Sequence, residues 1–516
     1  MADPVVVTSA GAVRGAAAPN GTIVFRGIPY GASTEARRFR APVPAVPWTG
    51  VRDAQEFGPI CPQSGVVADA ASADRRTLGD MPSLSQSEDC LVLNVWTPGT
   101  DRASRRPVMV WLHGRGFAAG AGSEPWYHGA ELARRGDVVV VTVNHRLNAF
   151  GHLHLAELGG EEYADSGMAG LLDVVLALRW VRDNAEAFGG DPGRVTIFGE
   201  SGGGAKVSVL LGMPEAHGLF HRAVVQSGPA LRASEPVAAT DLAERLLAHL
   251  GLGSGQLSEL RALPHARLTE ALDTMPAPPD PSRPWPMRGA ALLLRPVVDG
   301  RHLPAHPFEP EAAPSAAGVP LMIGTNKDEA ALFLAGDQRR RRLTQEELVE
   351  RLTPMLGERR DEILAVYRAQ RPNDTPWDLL IGIASEGTRL ASIRLAERKA
   401  AGGPAPVYLY LFTWESDHFG GLFKSAHGLE IPFVFDHPDA APMTGTSPER
   451  YRLAEIMSRA WAAFAHSANP NHDDLPAWPR YDLERRATML FDVACRVEDD
   501  PRREERLAWE GMALPR

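Results

Sequence analysis

One serine in the chain has a glycine two residues before it and two after it, in Gly199-Glu200-Ser201-Gly202-Gly203. A hydroxyl can attack a carbonyl carbon once a base removes its proton, and it must stand clear of the backbone to do so. A sharp turn from strand to helix puts the serine at its apex and leaves no room for side chains two residues away on either side. The run Val195-Thr196-Ile197-Phe198 supplies the strand before the turn. An ordinary turn with a helix-capping serine has the same local pattern, so partners elsewhere in the chain must decide.

Those partners are an acid and a base, carried on loops at the carboxyl ends of later strands. Pro320 to Gly324 is a short apolar run that leads into Thr325-Asn326-Lys327-Asp328-Glu329. Val407 to Trp414 leads into a loop with His418 and His427. Spacing alone leaves Asp328 and Glu329 open as the acid, and His418 and His427 open as the base. Backbone N–H groups must also meet the developing alkoxide. Gly202 can supply one, and the loop Trp111-Leu112-His113-Gly114-Arg115-Gly116-Phe117 resembles the glycine-rich oxyanion loop of esterases.

The elements that must position these groups read as a doubly wound α/β sheet. Val108 to Leu112 and Asp137 to Val143 are continuous apolar runs, as in strands covered on both faces. Gly170 to Phe188 has helical periodicity and ends at Gly189-Gly190-Asp191-Pro192. After the serine strand come a helix from about Ala205 to Leu211 and a buried strand from His221 to Gln226. Residues 1 to about 105 suggest short strands and turns, with a polar loop between Cys61 and Cys90. Residues 238 to 290 suggest a helical excursion over the sheet, ending in a proline-rich run. Further helices are expected at Gln345 to Leu352, after a capping box at Thr344, and at Pro376 to Ala396.

Composition narrows the class. The chain has 516 residues, 44% of them hydrophobic, which is ample for a core. A net charge of -10 argues against nucleic acid as a partner, and the one basic cluster, Arg339 to Arg342, reads as a solvated loop. No run suggests a secretory signal or a membrane span, so a cytoplasmic protein without a membrane partner is expected. Cys61, Cys90 and Cys495 lack metal-ligand spacing.

The motifs extend nearly end to end: Phe25 to Tyr30, Glu88-Asp89-Cys90-Leu91, Phe188 to Pro192, Gly199 to Gly203, Pro296 to Gly300 and Trp478 to Tyr481. Together they make the chain similar to the type B carboxylesterases, the family of cholinesterases and bacterial p-nitrobenzyl esterases. The resemblance implies residues 1–516 as a single α/β-hydrolase domain. It implies a mostly parallel doubly wound sheet with helical excursions covering an active-site gorge. It also implies hydrolysis of small to medium apolar or aromatic carboxylic esters through an acyl-enzyme, with a small-molecule ester as partner and neither metal nor cofactor. The family's acid segment falls on Gly324 to Glu329 and its histidine segment on His427 to Phe435. The implied triad is therefore Ser201, Glu329 and His427, with the N–H groups of Arg115, Gly116 and Gly202 as oxyanion hole and Glu200 and Ser227 flanking. Candidate pocket walls are Phe117, Trp285, Met287, Leu332, Phe333 and Phe419. Cys61 and Cys90 match a pair that is disulfide-bonded in secreted relatives and that a cytoplasm would keep reduced. A carbamate or amide hydrolase on the same triad, and a non-catalytic family member, are the alternative functions.

Arg115 departs from the family, which has glycine there. A non-glycine residue at positive φ costs roughly 1 kcal/mol or more. Its guanidinium can point away from the pocket, or into it to grip a carboxylate-bearing substrate. The segment from Pro62 to Asp89 has no aromatic residue and position 332 is leucine, so a choline-type cation site is not expected.

Overall fold

A computed structural model describes residues 3–64, 84–277, 289–337, 339 and 342–512. Fourteen strands occur among them: β1 (Val5–Val7), β2 (Ala12–Arg14), β3 (Ala16–Ala17), β4 (Ile23–Pro29), β5 (Val51–Asp53), β6 (Val92–Thr97), β7 (Arg106–Leu112), β8 (Val139–Val143), β9 (Gly190–Glu200), β10 (Arg222–Gln226), β11 (Leu321–Asn326), β12 (Val407–Phe412), β13 (Ala487–Phe491) and β14 (Arg496–Asp499). β1, β2 and β5 form a small separate sheet. The other eleven form one sheet in the order β14-β13-β12-β11-β10-β9-β7-β8-β6-β4-β3. Its centre, from β8 through β13, is parallel, and antiparallel strands close both edges.

Successive side chains on these strands go to opposite faces, and both faces are buried. Val108, Val110 and Leu112 of β7, with Val195 and Ile197 of β9, join one apolar cluster. Met109, Trp111 and Phe198 join the other. Helix α1 (Ala169–Asn184) covers the first face with Leu171, Val174 and Leu178, and α2 (Gly202–Leu211) adds Val207 and Leu211. The second face is covered by α3 (Pro376–Ala401) through Leu380 and Ile383, and by α4 (Glu449–Ser467) through Met457, Trp461 and Phe464. This two-sided burial explains why the strands read as unbroken apolar runs.

Chain order places the reacting loops. β8 lies on one side of β7, and the chain then crosses to the other side to form β9. In such sheets the crevice outside the carboxyl ends of the strands, at the point of reversal, is the natural binding place. Leu112 of β7 is in register with Gly199 of β9, so the loop after Leu112 and the turn after Glu200 emerge side by side. β10, β11 and β12 continue in parallel, and the loops after β11 and β12 also open at that edge.

Several elements differ in extent from expectation. α2 starts at Gly202, directly after the serine, although Gly202, Gly203 and Gly204 are poor helix formers. Close packing of its first turn against β7 outweighs that propensity. The helix after Thr344 has the expected capping box, with Thr344 and Glu347 exchanging bonds, and runs from Gln345 to Leu356. Residues 340 and 341 of the arginine run lie outside the described residues; Arg339 and Arg342 are exposed. Among the described residues no helix is long and apolar enough to cross a membrane. Cys61 and Cys90 are both buried free thiols.

Phe198 is fully buried, its ring 4.9 Å from Trp111 and 5.6 Å from Phe435. Phe198→Ala should lower unfolding free energy by about 3–5 kcal/mol, measured by urea titration at unchanged m-value.

Candidate active site

Ser201 sits at φ 56°, ψ −120°, a region costly for any residue with a Cβ. The surroundings enforce it. Its N–H donates to the Gln226 carbonyl at 2.8 Å, tying the turn to β10. A Cβ on Gly199 would lie 2.5 Å from the Leu112 carbonyl oxygen, and one on Gly203 only 1.9 Å from it. The steric reason for glycine at both positions is therefore the neighbouring strand together with the turn itself, which brings Gly203 within 2.6 Å of a Cβ on Gly199. A Cβ on Gly202 would fall 2.1 Å from the Gly116 oxygen and 2.4 Å from its nitrogen, so the loop after β7 lies directly against the start of α2.

The loops after β11 and β12 bring Glu329 and His427 together. Nδ1 of His427 lies 2.6 Å from Oε2 of Glu329, and Nε2 lies 3.2 Å from Oε1 of Glu200, the residue beside Ser201. The Asn326 N–H donates to Oε1 of Glu329 at 2.9 Å and holds that carboxylate in place. Burial opposes charging the imidazole, but the carboxylates of Glu200 and Glu329 outweigh it and raise His427 above its ordinary value. Burial pushes the Glu200 carboxyl well above the usual carboxylate range, with His427 opposing and Glu430, Glu329 and Glu124 adding to it.

Asp328 and His418 go elsewhere. Asp328 accepts from the Ser425 N–H at 3.3 Å and donates its own N–H to the Ser425 carbonyl, bracing the loop. The His418 ring packs 4.2 Å from Phe419. Phe419 itself is 47% exposed on that loop. Phe333 packs its ring 5.1 Å from His427, with Leu332 buried next to it. Phe117 is buried beside the His152 ring. Trp285 and Met287 lie outside the described residues. Ser227 is buried at φ 48°, its N–H donating to the Gly324 carbonyl at 2.9 Å.

Arg115 has φ 63°, as does Gly116, so the strain expected of a side chain at that position is present. Its guanidinium is held by the buried Glu124, with Nε 3.2 Å from Oε1 and Nη2 3.4 Å from Oε2. The carboxylate it grips belongs to this chain, not to a substrate. Residue pattern alone did not point to Glu124, nine positions away. Also missed was a polar chain behind the histidine. Trp461 Nε1 donates to Gln226 Oε1 at 3.0 Å, and Gln226 Nε2 donates to Glu430 Oε1 at 3.1 Å. Asn326 Nδ2 donates to Glu430 Oε2 at 2.6 Å. The only available signal was that Gln226, Asn326 and Glu430 are polar residues in otherwise apolar segments. Trp126 and Leu292 were missed as well. They approach Gly428 and Gly116, and come within 3.8 Å and 3.6 Å of where a Cβ would stand on each.

The model of the carboxylesterase family matches residues 2–509. The chain belongs to the carboxylesterase family. It is 37% identical to the para-nitrobenzyl esterase of Bacillus subtilis over 513 residues, 98% of each chain. It is 34% identical to the phenmedipham hydrolase of Pseudarthrobacter oxydans over 94% of each. The crystal structure of the Geobacillus stearothermophilus carboxylesterase EST55 at pH 6.2 superposes with a TM-score of 0.83 at 40% identity, covering 98% of this chain and all of that one. This carboxylesterase has the α/β-hydrolase fold and is a serine hydrolase of carboxylic esters acting on small molecules.

Replacing Arg115 by glycine in this carboxylesterase sets two effects against each other. Removing a side chain at positive φ gains about 1 kcal/mol. Leaving Glu124 buried and unpaired costs roughly 2 kcal/mol or more, allowing for the guanidinium's partial exposure. Arg115→Gly should therefore destabilise, and Arg115→Gly with Glu124→Leu should recover the loss. Denaturant titration of the three proteins checks this.

Proposed function

We propose that Ser201, His427 and Glu329 are the catalytic triad, and that neutral, largely apolar esters are the preferred substrates. The observation that carries the triad is the His427 pair. One ring nitrogen is locked on Glu329 and the other faces the elbow beside Ser201. Ser201 Oγ attacks the ester carbonyl carbon while His427 Nε2 takes its proton. The new oxyanion meets the N–H groups of Arg115, Gly116 and Gly202, whose backbones are packed together. Glu329 holds the imidazolium, which then protonates the departing alcohol. Water, activated by the same imidazole, opens the acyl-Ser201 and releases the acid.

Support for neutral substrates comes from the charges at the site. Arg115 is already occupied by Glu124, and Glu200 and Glu124 place carboxyl groups near the elbow. Leu332 and Phe333, the latter against His427, supply apolar wall. Neutral esters should be cleaved at least tenfold faster, by kcat/KM, than matched half-acid esters. Equal rates on the two classes would refute the substrate reading.

Ser201→Ala should lose turnover by about 10⁴-fold or more while keeping its melting temperature within a few degrees. Substantial remaining activity would refute the triad. The pH profile provides a second measurement. His427 acts only when neutral, and its pKa is raised, so activity falls as pH drops through a limb above the ordinary 6.5. Glu200→Gln removes one of the two carboxylates responsible. It should move that limb of kcat/KM to lower pH by about one unit; an unmoved limb would contradict the role given to Glu200.

A further inference from the structure

Lys206 is fully buried, and the triad chemistry does not use it. Helix geometry explains where it points. It lies four residues after Gly202, so the two share a face of α2, and the Gly202 face is the one pressed against Gly116. One turn further along that face, Lys206 Nζ donates to the carbonyl of His113 at 2.8 Å and to the carbonyl of Gly116 at 3.0 Å. These two carbonyls belong to the peptides flanking the pair that carries the Arg115 and Gly116 N–H groups. Both Arg115 and Gly116 are at φ 63°, so these peptide planes need an outside restraint to keep their donors aimed.

We propose that Lys206 is a positioning residue for the oxyanion hole: its ammonium clamps both ends of the Gly114-Arg115-Gly116 loop from behind and sets the direction of the N–H groups that meet the oxyanion. The proposal rests on the assignment of the oxyanion hole given above. The clamp favours the transition state because the donors are held where charge develops, with no reorientation during attack. A cation behind the loop also lowers the energy of negative charge arriving in front of it. The Phe117 ring, 5.6 Å from Nζ, closes the slot.

The surroundings make the clamp sensitive to pH. Burial lowers Lys206 to about 7, with Glu124 opposing. The other titratable groups facing it are His113 at the end of β7, His145 after β8 and His152 on the short helix Asn148–His152. All three are pushed down by burial and by Lys206 itself, which favours their neutral forms. Arg115 remains charged and paired with Glu124. Lys206, lowered to about 7, is the cation of this cluster that loses its charge as pH rises through neutrality. Its contribution is fully present below about pH 7 and is lost as pH rises through it.

The test compares wild type with Lys206→Met, which fills the slot without charge or donors. Lys206→Gln, which keeps two N–H donors but no charge, is the second variant. A neutral p-nitrophenyl ester reports kcat and KM. A trifluoromethyl ketone with the same acyl chain, which forms a tetrahedral adduct, reports the oxyanion hole. Lys206→Met should lose about tenfold or more in kcat and a similar factor in trifluoromethyl ketone affinity, with KM within about twofold. Lys206→Gln should fall between. The wild-type advantage in kcat should shrink from pH 6 to pH 9. Unchanged kcat and ketone affinity in Lys206→Met would overturn the proposal while leaving the oxyanion hole intact. A wild type that binds the trifluoromethyl ketone no better than the methyl ketone would instead overturn the oxyanion assignment. Should Lys206→Met fail to fold, Lys206→Gln decides alone: wild-type kcat and ketone affinity in that variant would overturn the proposal.

Discussion

The site depends on backbone meeting backbone between the turn after β9 and the loop after β7. Gly202 lies against Gly116 and Gly203 against the Leu112 carbonyl, at separations that admit no side chain. Two consequences follow from that contact. The serine must take a costly φ and ψ because the chain has to turn within the space β7 leaves. The N–H groups proposed to meet the oxyanion come from these two neighbouring backbones, which brings donors from distant parts of the chain close together. β-sheet register enforces this: pairing Leu112 with Gly199 brings the turn to the loop, and a slip of one residue would put Gly199 out of reach.

Behind the histidine a second constraint acts through hydrogen bonds. Trp461 of α4, Gln226 at the end of β10, Glu430 and Asn326 at the end of β11 form a continuous buried chain that ends at the Glu329 carboxylate. Each member bonds to the next, which offsets most of the cost of burying these polar groups, although Asn326 Oδ1 itself has no partner among the described residues. The result ties a helix on one face of the sheet to the acid of the site. The orientation of Glu329, and through it His427, is thus set by packing of the second apolar cluster.

The parts legible in the sequence were those governed by local sterics or by strand periodicity. Gly199 and Gly203 were readable because a tight turn dictates glycine at fixed offsets. The parallel sheet was readable because strands buried on both faces have unbroken apolar runs. Spacing could not choose between Asp328 and Glu329, which are adjacent. Their neighbours distinguish them, Ser425 for one and His427 for the other. The early start of α2 was hidden by its three glycines, whose weak propensity gives way to the close approach they permit. The strain at Arg115 was foreseeable from the residue type, whereas its partner Glu124 depends on how the intervening turn folds back. Lys206 gave no signal at all, since a lysine on a helix ordinarily faces water.

Charge at the site is arranged so that little is left over before the substrate arrives. Arg115 and Glu124 neutralise each other, and Glu329 faces the His427 imidazole. Burial raises Glu200 well above the usual carboxylate range and Glu430 to about 7, while His427 opposes the shift at Glu200 and Asn326 and Gln226 oppose it at Glu430. For the alkoxide of the proposed mechanism, the fixed positive features are the N-terminus of α2, the loop N–H groups and the Lys206 ammonium behind them. In the proposed mechanism, donors and a cation fixed where the oxyanion appears bind the transition state more tightly than the ester. That difference is the quantity that accelerates the reaction.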